Sequence, residues 1–122
     1  MPDDGFTQGG CMARGWKNWS GSVRCQPAVL ARPATLAELG GLVRRSAHVR
    51  VTGAGHSFMP LCDTSGMLIS LGDMEGELTL SADKSRAWAP AGWSLKKLTT
   101  ALWEKGVSLI NQGDVNPQAL AG

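Results

Sequence analysis

A chain of 122 residues with 43% hydrophobic content is the size of one domain and carries enough apolar side chain for an ordinary core. Twelve Lys and Arg against ten Asp and Glu leave a formal charge of +2, dispersed along the chain, which excludes the basic footprint of a nucleic-acid binder. No apolar run approaches the roughly twenty residues of a membrane span, and the acidic, polar opening Met1-Pro2-Asp3-Asp4-Gly5 is not a secretory signal.

Residues 1–15 are rich in Gly and short polar side chains and predict a mobile lead-in. In Gly15-Trp16-Lys17-Asn18-Trp19-Ser20-Gly21 two tryptophans interleave with turn formers, so both rings are expected to lie buried beneath an irregular plug. Prolines at both ends of Pro27-Ala28-Val29-Leu30-Ala31-Arg32-Pro33 suit an edge strand. Thr35 as N-cap, Glu38 three residues on, and Leu36, Leu39, Leu42, Val43 and Ala47 at helical spacing predict a helix over about 36–47. His48 then falls where it would meet the C-terminal helix dipole.

A β-branched run at 49–52 reads as a buried strand, followed at once by Gly53-Ala54-Gly55-His56-Ser57-Phe58. After the turn Asp63-Thr64-Ser65-Gly66, the apolar run Met67-Leu68-Ile69-Ser70-Leu71 predicts a further strand. Residues 78–80 and 86–89 then form a hairpin around Ala82-Asp83-Lys84-Ser85. Ser94 caps a second helix that places Leu95, Leu98, Leu102 and Trp103 on one face and ends at Gly106. A strand at 107–110 leads to Asn111-Gln112-Gly113-Asp114, whose turn chemistry marks a functional loop. Trp88, Trp93 and Trp103 are expected as core or interface rings. The apolar close Ala119-Leu120-Ala121-Gly122 reads as a chain stopping partway through an element, a fragment of a longer protein. These elements define an α+β fold: a small mixed sheet with two amphipathic helices.

Cys11, Cys25 and Cys62 are odd in number and lack a Cys-x-x-Cys pair, which predicts reduced thiols, no metal centre and a cytoplasmic setting. The chemistry concentrates at residues 53–58. Two glycines let the backbone bend sharply and bring N–H groups against a flat or phosphorylated ligand, while His56 beside them offers a nucleophile or a hydrogen-bonding pair. Taken alone, the same residues also fit an ordinary turn with a structural histidine.

Several segments together are similar to the FAD-linked oxidases of the vanillyl-alcohol oxidase type, with a PCMH-type FAD-binding domain. The closest likeness is to aldonolactone oxidases, such as D-arabinono-1,4-lactone oxidase, and to alditol oxidases. The matching pieces are Asn18-Trp19-Ser20-Gly21, the proline-bounded strand with the helix after it, Arg50-Val51-Thr52-Gly53-Ala54-Gly55-His56-Ser57-Phe58, Gly92 with its helix, and Leu109-Ile110-Asn111-Gln112-Gly113 through Gly122. The resemblance implies that residues 16–122 are the incomplete N-terminal part of an FAD-binding domain, the first of two subdomains that clasp the cofactor. It implies that Val51, Thr52, Gly53, Ala54, Gly55, His56 and Ser57 wrap the FAD pyrophosphate and approach the ring. By the same resemblance Asp114, Ala119, Leu120, Ala121 and Gly122 make further contacts, and His56 is the covalent attachment residue.

Asp114 departs from the family pattern, because a carboxylate near FAD phosphates repels them unless it faces away or accepts N–H bonds. The implied activity is oxidation of a polyol or sugar-lactone, a CH–OH donor, with oxygen or another acceptor. No substrate-transforming catalytic residue is expected in this fragment, so alone it is expected to be inactive. The alternative is a non-catalytic truncated remnant or an interaction module of the same fold.

Overall fold

The computed structural model describes residues 15–114 and 117–122. The expected lead-in, apart from Gly15, and Cys11 lie outside the described residues.

Three small sheets and two helices make up an α+β fold. β1 (Trp16–Lys17) and β2 (Arg24–Cys25) pair antiparallel, with Trp16 opposite Cys25. β3 (Val29–Ala31), β4 (Val49–Thr52) and β5 (Met67–Ser70) form a wholly parallel sheet in the order β3-β5-β4. β6 (Thr79–Leu80) and β7 (Ala87–Trp88) form the expected hairpin. The strands therefore divide among three sheets of uniform direction.

Apolarity decides the sheet order. β5 is a continuous apolar run and takes the centre, with Leu68 and Ile69 fully buried. β3 takes an edge, as its flanking prolines require. β4 takes the other edge, so only Thr52 of its four residues is buried and Val51 is 50% exposed. The buried strand read at 49–52 is thus a strand, but a half-open one. Arg32, just past β3, makes a paired contact with Asp73, just past β5, through Nε to Oδ2 at 2.9 Å and Nη2 to Oδ1 at 3.0 Å.

α1 (Leu36–Arg44) begins with the predicted Thr35 cap, while Glu38 reaches back one residue beyond the N–H that a capping box uses. Thr35 Oγ1 accepts from the Glu38 N–H at 3.2 Å, and Glu38 Oε2 accepts from the Ala34 N–H at 2.8 Å. The helix stops before Ala47, which leaves His48 outside its last turn; the His48 carbonyl instead accepts from the Met67 N–H. No residue of α1 is buried within the described structure, and Leu36 is 78% exposed.

α2 (Leu95–Glu104) is capped by Ser94, whose Oγ accepts from the Lys97 N–H at 3.1 Å. It buries Leu98 and Leu102 against Leu78, with Leu80, Trp93 and Val107 packed around them. Each buried leucine contributes about 1.5–3 kcal/mol of transfer free energy. Trp103 lies off this face at 79% exposure, and Trp88 is also exposed. Of the later tryptophans only Trp93 joins the core cluster, and Lys97 lies over its ring. Residues 107–110 form no strand; they run along a groove of about 400 Å³ with Thr99, Trp103, Asn111 and Gln112.

Candidate functional site

Because β3, β5 and β4 are parallel, their C-terminal ends lie at one edge of the sheet, where loops of such sheets gather ligands. Residues 53–58 leave β4 at that edge, and two other segments close on them.

The first is the turn after β1. Trp19 N–H donates to the Gly55 carbonyl at 2.7 Å, and Asn18 Nδ2 donates to the Ser57 carbonyl at 2.9 Å. Asn18 is 2% exposed with its amide satisfied on both sides, since Nδ2 also reaches Ser22 Oγ and Oδ1 accepts from the Val23 N–H. Gly55 has φ +72°, and a Cβ there would lie 3.4 Å from Trp16 Cζ2 and 3.5 Å from Asn18 Cα. The left-handed conformation calls for glycine, whereas the space around it would admit a Cβ at ordinary van der Waals contact.

The second is the C-terminal run. A Cβ on Gly53 would lie 2.7 Å from Gly122 Cα and 3.3 Å from Ala119 Cβ. That run is itself tied to the start of α2, because Leu120 N–H donates to Trp93 O, Ala121 N–H to Ala91 O and Leu95 N–H to Gln118 O. Gly122 N–H turns back to Ala119 O at 3.1 Å. The N–H groups of Leu120, Ala121 and Gly122 therefore point into protein hydrogen bonds, and the run meets the 53–57 loop as a packed wall. Asp114 is exposed and makes no hydrogen bond to the described residues. The groove lined by Asn111 and Gln112 includes no residue of the 53–57 loop.

The loop's own polar groups are used unevenly. Its carbonyls at Gly55 and Ser57 are occupied, whereas the N–H groups of Ala54, Gly55, His56 and Ser57 make no hydrogen bond among the described residues. His56 Nδ1 is buried and likewise without a partner, and its imidazole is stacked on the Trp19 indole with centroids 5.4 Å apart and planes at 18°. Consecutive free backbone donors beside an unpartnered imidazole nitrogen suit an anionic or flat acceptor. The residues present thus fit a phosphorylated, planar cofactor such as FAD.

Asn18 and Trp19 were not among the site residues read from the sequence, although their segment belonged to the family likeness. Trp19 was expected in the interior and is 69% exposed instead. A tryptophan beside turn formers signals burial or stacking equally, and only its neighbour across the fold separates the two. Among the described residues, no group of three or more His, Cys, Asp or Glu is placed to hold a metal ion, and no helix is long and apolar enough to cross a membrane.

A parallel sheet whose edge carries a glycine and histidine loop with free backbone donors suits a domain that binds a phosphorylated cofactor. Residues 27–122 match the FAD binding domain family, and the chain belongs to that family, whose cofactor is FAD. It is 32% identical over 111 residues to the L-gulono-1,4-lactone dehydrogenase of Mycobacterium tuberculosis (strain ATCC 25618 / H37Rv), covering 88% of this chain and 26% of that protein. Over 119 residues it is 32% identical to the L-gulonolactone oxidase of Scyliorhinus torazame, covering 93% and 27%. Over 115 residues it is 27% identical to the D-arabinono-1,4-lactone oxidase of Kluyveromyces lactis, covering 88% and 22%. The fold is similar to that of a solvent-stable cholesterol oxidase, with a TM-score of 0.68 at 19% identity over 88% of this chain and 22% of that one. The chain thus spans about a quarter of the length of the curated relatives it matches.

Proposed function

We propose that this chain supplies one wall of the FAD site of an oxidoreductase that oxidises a sugar-derived alcohol or an aldonolactone, with oxygen or another acceptor, and that His56 carries the flavin covalently. The observation that carries this reading is the set of unused N–H groups at residues 54–57 beside the unpartnered His56 Nδ1. Those N–H groups would receive pyrophosphate oxygens, and the small residues Gly53 and Gly55 keep the backbone close enough for them to do so. FAD, when bound, supplies the two-electron chemistry. The substrate class is supported by the lactone enzymes among the relatives.

His56 would hold the flavin through one imidazole nitrogen, bonded to the 8α-methyl carbon of the isoalloxazine. One hydrogen leaves that nitrogen and one leaves the methyl group, and oxygen takes both with two electrons as hydrogen peroxide. Turnover of substrate is assigned to residues beyond these 122, so the chain alone is expected to bind flavin weakly and oxidise nothing.

The test is the fluorescence of a denatured gel band of the protein that carries this chain. Acid-stable flavin fluorescence is expected in the wild type and absent from His56→Ala; fluorescence that survives denaturation in that variant overturns the assignment. Exposed Phe58, Met59 and Leu61 beside the same loop favour a second reading, a non-catalytic interaction module. Purified protein without flavin absorbance, even after incubation with FAD, would select it.

A further inference from the structure

We infer that Trp19 is a positioning residue for His56: its indole, laid flat over the imidazole, holds the ring plane in which the His56 nitrogen meets the flavin. The inference rests on the reading of His56 as the attachment residue.

A histidine that performs chemistry is ordinarily oriented by a hydrogen bond at its second nitrogen. That device is missing here, because neither imidazole nitrogen of His56 makes a hydrogen bond among the described residues, whichever of the two meets the flavin. What meets the imidazole instead is the Trp19 ring, nearly parallel at 18°. The two residues are also tied through the backbone. Trp19 N–H donates to Gly55 O, and the neighbouring Asn18 side chain donates to Ser57 O, so the carbonyls on either side of His56 are both anchored to the Trp19 segment. These bonds hold the two backbones side by side, and the stacking of the rings then sets their side-chain torsions.

Among the described residues, core filling does not account for the residue type. Trp19 is 69% exposed, and a tryptophan placed for burial would lie largely covered. An open indole held against an imidazole by two backbone anchors does little for the core and much for one side-chain torsion. Attachment needs such control, because the nitrogen must be aligned within about 3–3.5 Å of the carbon it attacks, and small misplacements of reacting groups cost up to about 100-fold in rate.

The test uses the full protein that carries this chain, as wild type, Trp19→Phe, Trp19→Leu and Trp19→Met. A readout independent of flavin is the NMR shift of the His56 ring protons in the apoprotein. They are expected upfield in the wild type and in W19F, and at ordinary positions in W19L and W19M. The second readout is the rate at which acid-stable flavin fluorescence develops when apoprotein is incubated with FAD. W19F should attach flavin within about twofold of the wild-type rate, and the non-aromatic variants about 10- to 100-fold more slowly. Reversible FAD affinity should stay within about threefold.

Attachment at the wild-type rate in either folded non-aromatic variant overturns the role of Trp19, as do unshifted His56 protons in the wild type. A wild type that shows the upfield shift and never acquires acid-stable flavin instead overturns the attachment reading of His56, and the role of Trp19 with it. Slow attachment in a variant of unchanged circular dichroism, rescued by W19F, supports the assignment.

Discussion

Gly53 and Gly122 pack so closely that a Cβ built on Gly53 would lie 2.7 Å from the Gly122 Cα, with Ala119 Cβ at 3.3 Å. The contact joins the histidine loop to the C-terminal run, and its obstacle is backbone, which yields less readily than a flexible side chain. Gly53→Ala is therefore expected to push the two segments apart, at about 1–3 kcal/mol of stability, in the range for overpacking. Thermal unfolding would register this as a lowered midpoint. FAD titration should show reduced affinity, because the shift displaces the loop whose N–H groups would donate to the pyrophosphate oxygens.

Asn18 offers a second route to the same loop. Its amide bridges Val23 N–H and Ser57 O from a position 2% exposed, giving an acceptor to one and a donor to the other. Asn18→Ala strands two backbone groups and should cost about 1–3 kcal/mol. Asn18→Asp is expected to be at least as damaging, because a carboxylate oxygen then faces the Ser57 carbonyl. Urea unfolding of the two variants side by side checks the order.

Gly92 sits where a Cβ would overlap the Leu71 carbonyl and crowd the Gly72 nitrogen. This contact holds the segment before α2 against the loop after β5. Gly92→Ala is expected to destabilise by about 3 kcal/mol or more, at the upper end of overpacking costs, and to lower soluble yield. Gly113→Ala, where nothing lies within 4 Å of the added carbon, is the control and should be close to neutral in the same denaturation experiment.

The β6–β7 turn carries a pH-dependent contact. Hydrogen bonds from the Ser81 hydroxyl and from the Ser85 N–H and hydroxyl hold the Asp83 carboxyl down at about 2. A carboxyl depressed in the folded state contributes stability above its unfolded value near 3.9, and that contribution is lost as pH falls toward 2. NMR titration of the Asp83 carboxyl should give a midpoint near 2, and Asp83→Asn should flatten the acid limb of stability in that window. The group is fully exposed, so the effect is expected to be small.

What the sequence determined by itself is what neighbours within a few residues decide. Thr35 and Ser94 capped their helices, the apolar run 67–70 became the central strand, and the turn at 82–85 closed a hairpin. Spacing and capping chemistry act locally, so they are legible without the fold. Tertiary structure decided the rest. It placed β4 at a sheet edge, left 107–110 without a strand partner, uncovered Trp103 and carried Trp19 out of the interior onto His56. Each outcome depends on which distant segment lies alongside, a choice made by pairing and burial across the whole chain rather than by any residue's own preference. The same reason explains Gly53: its sequence marks a place for close approach, and the fold names Gly122 as the backbone that approaches.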